Sequence, residues 1–410
     1  MGTPAAAINA SIINACKELY RIDVKPHLNL PFVDVIPKFH KQPVGFRTII
    51  ASNKASTKPI STLVCNALKL VQRNIKKYCK VIENNTGVRS FWIVDSNLDI
   101  INTLDGLSKD KLAKSINTYD FGQMYTSLEH VDIINAMQHV LSIVFRRIQR
   151  IWVDMRLASV NYRSTTARSV DKNNLLDMIK FVIDNTYFRF GNNVYKQAIG
   201  IPMGTTCAPY IANLTLFSYE FKFISNKLKS QNSNICRDLS MTFRYIDDIT
   251  VVNDNHNFDN AHKTIYPASL TLNKVNTMEH KADVLDITAV ISNRTFVLSL
   301  FDKRREFPFK CNVFPPYSSS LSLACLRNVL RNERTRISRI CSEIAGFSLN
   351  RIRLEEKVAE RGYPAKFIKP LIRKFIHRNR GRITGKYQTS ESQLFKTLNW
   401  KIADINPETN

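Results

Sequence analysis

Residues 243–252 read FRYIDDITVV, and the reading of this stretch decides the fold. Phe, Tyr, Ile, Thr and Val are strand formers, so both flanks of the acid pair have strand character. Asp247 and Asp248 interrupt that pattern. Burying one unpaired carboxylate is costly and two adjacent ones repel, so the pair cannot lie hidden within a strand. Two arrangements remain. Either the acids occupy the exposed tip of a hairpin, or something strongly positive sits between them and a third partner.

A third acid stands upstream. Asp120 ends the strand-like run Asn117-Thr118-Tyr119 within INTYDFGQMYTSLEHVDIINAMQHVLSIV (116–144). The rest of that segment predicts a helix with Ser127 as N-cap and a buried stripe of Ile133, Ala136, Met137, Val140 and Leu141. If the Asp120 strand neighbours the hairpin, three carboxylates converge. No Ser/His/Asp order or activated thiol accompanies them. Such a set points to divalent metal, because Mg²⁺ binds through one or two carboxylates plus substrate phosphates. Two ions about 4 Å apart serve an in-line phosphoryl displacement, activating a 3′-hydroxyl and neutralising a leaving pyrophosphate.

Outward from the acids the chain alternates short strands with helices. VDVIPKFHKQPVGFRTIIAS (33–52) reads as two strands turning at Gln42-Pro43-Val44-Gly45 and carrying Lys38, Lys41 and Arg47. Leu63, Ala67, Leu70, Val71 and Ile75 predict a long amphipathic helix over 58–81. A helix over 175–184 precedes the hairpin YFRFGNNVYKQA (187–198), turning on Gly191-Asn192-Asn193. IGIPMGTTCAP (199–209) breaks regular structure before a helix over 210–228. TLNKVN (271–276) and VLDITAVISNRTFVLSLFDK (284–303) add sheet. Residues 321–382 turn helical and basic, with 16 Lys or Arg against five Glu.

Bulk properties agree with a large globular protein that handles a polyanion. At 410 residues the chain can build two or three packed subdomains, and 44% hydrophobic residues with only 12 Gly and 15 Pro argue against wholesale disorder. Lys plus Arg number 59 against 34 Asp plus Glu, a net charge of +25 that favours nucleic acid over acidic protein or lipid as partner. The eight cysteines show no CxxC or zinc-type spacing, which fits reduced thiols in an intracellular setting, nuclear or cytoplasmic. No membrane span is expected: the apolar run LSIVFRRIQRIWV (141–153) is broken by Arg146 and Arg147. The N-terminus lacks a basic start, and its Met-Gly has Ala6 where myristoylation wants Ser or Thr.

Three boxes in order then carry a family resemblance. YDFGQMYTSL (119–128), IGIPMGTTCAPYIANL (199–214) and YIDD (245–248) resemble the carboxylate, Gly-rich and aromatic-x-Asp-Asp motifs of reverse transcriptases, over roughly residues 33–310 and more loosely the basic tail. PKFHK (37–41), PMGTTCAPYIANL (202–214), FRYIDDI (243–249) and IYPASLTLNKVN (265–276) are most similar to the Penelope-like retroelement branch, which is associated with telomerase. The resemblance implies an α+β right-hand polymerase. Its parts would be an N-terminal extension (1–32), fingers (33–118), a palm of antiparallel sheet backed by helices (119–310, with part of 145–198 assignable to fingers), a basic helical thumb (311–385) and a tail (386–410). It implies an RNA template, a DNA primer, dNTPs and two Mg²⁺ ions, with Mn²⁺ able to substitute.

Residue roles follow from the same resemblance. Asp120 and Asp247 are the expected metal ligands, with Asp248 supporting them. Tyr125 is expected under the incoming sugar, excluding a 2′-hydroxyl, while the backbone of Phe121 and Gly122 donates to the triphosphate. Gln197, Gly200, Pro202, Met203 and Gly204 are expected against the nascent base pair, and Lys274 as proton donor to pyrophosphate. Lys41 and Arg47 would grip the triphosphate, with Lys38 on the template. In the thumb, Arg327, Arg331, Arg334, Arg336, Arg373 and Lys374 would follow template–primer phosphates, and Tyr363, Phe367, Phe375 and Trp400 would be core. No endonuclease of the kind many Penelope-like elements carry is expected within residues 386–410. Two alternatives stay open. One is a nucleic-acid-binding relic without activity. The other is an RNA-dependent RNA polymerase, though those enzymes usually carry Gly-Asp-Asp and a polar residue in place of Tyr125.

Overall fold

The structure is a computed structural model that describes residues 4–26, 29–39, 43–156, 158–159, 165–230 and 233–390. Lys41 and Trp400 lie outside the described residues. Along the chain, α1 (Pro4–Tyr20) buries Ala5, Asn9, Ile12 and Cys16 on one stripe. β1 (Val33–Lys38) and β2 (Gly45–Ile50) then pair antiparallel with Ile36 opposite Arg47. α2 (Lys58–Thr86) outruns its predicted end at 81 and stops where Gly87 takes a left-handed φ of 70°. α3 (Leu98–Lys109), β3 (Ile116–Phe121), α4 (Met124–Ser127) and α5 (His130–Phe145) follow. Ser127 is therefore not the cap of the long helix. Leu128 must be extended to bury its side chain between the two helical pieces, so α5 starts only after Glu129.

β4 (Ile151–Val153), β5 (Ala158–Ser159) and β6 (Arg168–Val170) make a small sheet. α6 (Lys172–Asp184) is capped by the Asp171 side chain, which accepts from the Asn174 N–H at 2.9 Å. β7 (Tyr187–Phe190) and β8 (Asn193–Lys196) form the expected hairpin, with Asn193 already in the strand and Gly191 at φ 61°. Then come α7 (Ala208–Lys229), α8 (Ser233–Asp238), β9 (Thr242–Tyr245), β10 (Asp248–Val252), α9 (Asn257–Ile265) and β11 (Leu272–Lys274). β12 (Lys281–Val284), β13 (Ile287–Ser292) and β14 (Thr295–Leu300) precede three helices, α10 (Leu323–Ile340), α11 (Ile344–Ala359) and α12 (Ala365–Tyr387). Among the described residues no helix is long and apolar enough to cross a membrane.

The chain divides into two compact units. The first, residues 1–95 and 119–275, holds the antiparallel palm-type sheet in the order β11-β3-β10-β9 and a core in which α2, α5, α6 and α7 pack together. The second, residues 96–118 and 276–410, packs α3, α10 and α11 against β14 at the edge of the sheet β12-β13-β14. The breaks between units fall at 95/96, 118/119 and 275/276, so one coincides with the expected boundary at 118 and none falls at 310. The N–H of Phe296 donates to Ser108 Oγ (2.8 Å) and that of Leu298 to Ser342 Oγ (2.9 Å), tying α3 and the start of α11 to one strand. Residues 96–118 and 276–310 thus pack with the basic helices. The α+β class is as expected.

Candidate active site at the Asp247 hairpin

β9 and β10 pair with Tyr245 opposite Asp248, which leaves Ile246 and Asp247 as a two-residue turn. Ile246 sits at φ 57°, a left-handed conformation that disfavours a β-branched side chain by roughly 1–3 kcal/mol. Arg244 holds the turn in place. Its Nη1 donates to the Ile246 carbonyl (3.1 Å) and to Asn213 Oδ1 (2.9 Å), and its Nη2 donates to the Asn213 carbonyl (3.0 Å). Glu220 closes the other side of the guanidinium through Nε–Oε1 (2.5 Å) and Nη2–Oε2 (3.1 Å). The Tyr266 hydroxyl donates to Glu220 Oε1 at 2.9 Å, and burial followed by the Glu220 charge pushes that phenol well above its usual range. Arg244 and Glu220 are both fully buried, so the ion pair rigidifies the ground beneath the acids.

β3 runs beside β10, and the Phe121 N–H meets the Asp247 carbonyl at 3.4 Å. Alternation along β3 sends Tyr119 and Phe121 to one face, where their rings lie 4.8 Å from Phe258 and 4.9 Å from Tyr266. Asp120 takes the other face, opposite Asn273, and is the one residue of this strand that is not fully buried. Asp247 is half-buried at the turn and Asp248 exposed at the start of β10. Among the described residues no three His, Cys, Asp or Glu side chains form a ready-made metal cluster. The donor chemistry nonetheless fits Mg²⁺, which takes one or two carboxylates and completes its shell with water and substrate oxygens.

Tyr125 lies in α4 and is partly buried. Burial, then the Asp247 carboxylate, push its phenol up to about 12, against the opposing pull of Arg244 and Arg47. Arg47 itself is exposed on β2 and Lys38 half-buried at the end of β1. The Gly-rich loop is stapled to both elements. The Gly200 N–H donates to the Leu128 carbonyl (2.8 Å) and the Ile201 N–H to the Tyr125 carbonyl (2.7 Å), while the Ile50 N–H on β2 donates to the Met203 carbonyl (3.2 Å). Gly200 (φ 87°) and Gly204 (φ 101°) are obligatory: a Cβ would overlap the Tyr125 and Ile50 carbonyl oxygens respectively. Within the loop Pro202 is buried, and Gln197 donates to the Ile199 carbonyl (3.0 Å).

Several sequence expectations need correction. The Phe121 and Gly122 N–H groups do not face a ligand, because they are engaged by the Asp247 and Thr271 carbonyls (3.4 and 3.0 Å) in the sheet. The register partner of Lys274 is Tyr119, so it lies on the α9 face, paired to Asp259 at 3.2 Å with Nζ 5.9 Å from the Tyr119 ring. In the second unit Arg334 is only 3% exposed, sharing the buried stripe of α10 with Leu326, Leu330 and Ile337, and cannot reach a phosphate. Arg336 is engaged by Asp286 (2.6 Å) and Glu333 (3.4 Å). Arg327, Arg331, Arg373 and Lys374 are exposed. The sequence reading missed Arg244, Glu220 and Tyr266. The available signal was an Arg inside an apolar strand and a Glu inside the apolar run of α7.

Comparison with known proteins adds two findings. The animal helix-turn-helix domain family matches residues 314–373, which span α10, α11 and the start of α12. No curated protein sequence matches the chain. Among solved structures, telomerase from Candida albicans, in complex with a TWJ fragment of telomeric RNA, is similar at a TM-score of 0.61 and 12% identity, over 96% of this chain and 67% of that one. Apo telomerase from Candida tropicalis follows at 0.48 and 12%, over 96% and 66%. The BmCPV RNA-dependent RNA polymerase reaches 0.42 and 12%, over 82% and 26%. The Candida albicans likeness identifies a polymerase fold of reverse-transcriptase type.

Proposed function

We propose that this chain is an RNA-directed DNA polymerase of the Penelope-like retroelement kind, extending a primer 3′-hydroxyl with dNTPs on an RNA template. One observation carries the reading: the Asp120 strand lies against the Asp247 turn, with the Tyr125 phenol under the influence of both Asp247 and Arg47. Asp120 and Asp247, with Asp248 beside them, would hold two Mg²⁺ ions, or Mn²⁺, whose chemistry is activation of the hydroxyl and neutralisation of pyrophosphate. The chain's own residues do the rest by position. Arg47, with Lys41 and Lys38, supplies positive charge for triphosphate and template phosphates. The Tyr125 ring would exclude a 2′-hydroxyl from the incoming sugar. The loop around Gly200 and Gly204, fixed to α4 and β2, gives a rigid wall for the nascent pair. Arg327, Arg331, Arg373 and Lys374 grip the duplex backbone without reading sequence.

Primer extension on an RNA template with Mg²⁺ tests this. The wild-type chain is expected to incorporate dNTPs, and Asp247→Asn to lose activity by roughly a hundredfold or more. Equal activity in that variant rejects the assignment of the acids. Incorporation of NTPs alone would make the chain an RNA polymerase, and template binding without any extension would make it a binding protein.

A further inference from the structure

The second unit contains a cavity of about 440 Å³, within the ~300–1,000 Å³ range of small-ligand sites, between residues 304–314 and the C-terminal end of α11. Its walls are of two chemical kinds. The Phe307 and Phe309 rings lie 5.4 Å apart at 32°, and Phe309 is 48% exposed. Arg304, Arg305, Lys310, Lys357 and Arg361 supply the cations.

Those cations outnumber the acids around them. Asp302 engages Arg304 (2.6 Å) and Lys357 (2.9 Å), and Glu360 engages Lys310 (2.8 Å). With Glu333, which also acts on Arg304, five cations face three carboxylates, an excess of two positive charges. Arg361 is fixed by its Nε–H, which donates to the Phe314 carbonyl at 2.8 Å. Arg305 feels the crowding: burial, then Arg353, lower its pKa, with Asp302 opposing and Arg304 adding to the repulsion. A bound anion would relieve that repulsion.

We infer that this cavity binds one nucleotide of a single-stranded nucleic acid, with the base against Phe309 and the phosphate held by Arg305 and Arg361. An exposed ring beside surplus cations is the combination that captures an unstacked base with its backbone. A duplex offers such a pocket no open base face, and an acidic peptide would answer the cations but make no use of the exposed Phe309 ring. All its lining residues belong to the second unit, and binding is measured without any dNTP, so the inference stands whether or not the chain polymerises.

The full-length chain is titrated with a fluorescent single-stranded RNA or DNA of about 12 nucleotides. The same strand carrying 5-iodouracil is then photocross-linked and the adduct located by mass spectrometry. Cross-links are expected at Phe307 or Phe309. Phe309→Ala is expected to weaken single-strand binding roughly tenfold or more, as removal of one base–aromatic stack does, while Phe309→Trp retains it. Arg305→Gln should weaken it as well and flatten its salt dependence. Affinity for an RNA–DNA hybrid of equal length should stay within twofold in all three. Phe309 is exposed, and an unchanged melting temperature certifies each variant as folded. Cross-links confined to other segments, or Phe309→Ala binding single strands like wild type, would overturn the inference. So would displacement of the strand by a Glu/Asp-rich peptide whose own affinity falls equally in Phe309→Ala, which would make the cavity a protein-docking site.

Discussion

Removing the ring of Tyr125 is the most direct single-residue test of sugar choice. Tyr125→Ala should raise kcat/KM for a ribonucleotide relative to its deoxy counterpart by roughly tenfold or more, since the steric barrier is worth a few kcal/mol at most. Paired dCTP and CTP kinetics on one template measure it, and unchanged discrimination would reject the gate. Arg244 poses a different question, because it touches no substrate in the proposed reading and acts through the turn. Arg244→Met should destabilise the fold by about 3–5 kcal/mol, leaving Glu220 buried and uncompensated. Arg244→Met/Glu220→Gln should recover much of that in urea melts, yet remain impaired in primer extension, because the Ile246 carbonyl still lacks its donor. Full recovery of activity in the double variant would show the clamp to be structural only. The acids stood out in the sequence because two adjacent carboxylates conflict with the β-branched run that holds them. The clamp did not, since it joins positions 24 apart on a strand and a helix that have no local pattern in common.

Elements with a strong period were readable, and their junctions were not. The β1–β2 hairpin, α2, α7 and the β9–β10 hairpin fall where alternation or helical spacing predicts. The α4–α5 break does not, because burial of Leu128 overrides the N-cap preference of Ser127. Packing of α5 on α7 also creates a pH response invisible to sequence. His139 Nδ1 lies 2.8 Å from Ser218 Oγ, and burial, with Lys222 adding to it, lowers the imidazole from 6.5 to about 4. Between those values the unfolded chain takes up a proton that the folded chain refuses. Stability from this group is therefore intact above pH 6.5 and falls as pH drops toward 4. Urea melts should show about 2 kcal/mol lost between pH 7.5 and 5, and the difference should vanish in His139→Gln. A parallel pH profile in that variant would reject His139 as the source.

At the scale of the whole chain, the charge of +25 was plain in the sequence, but its allocation was not. Sixteen cations between 321 and 382 suggested a uniformly basic grip. Helical spacing instead turns Arg334 and Arg351 into the core beside Glu355, and acids outside that segment, Asp302 and Asp286, take Lys357 and Arg336. The placement of α3 in the second unit was equally hidden, because it joins β14 from 188 positions away. What remains exposed makes a sharper claim than total charge does. Replacing Arg327, Arg331, Arg373 and Lys374 together by Gln should weaken hybrid binding and flatten the plot of log K against log salt by about one unit for each phosphate the variant no longer neutralises. The weakening should be the same for every template sequence, since phosphate contacts carry no sequence information. Replacing Arg336, engaged by Asp286 and Glu333, should instead lower stability with little change in slope. Filter-binding titrations from low to moderate salt separate the two. A slope that responds to Arg336 and ignores the exposed four would mean that nucleic acid meets some other face of these helices.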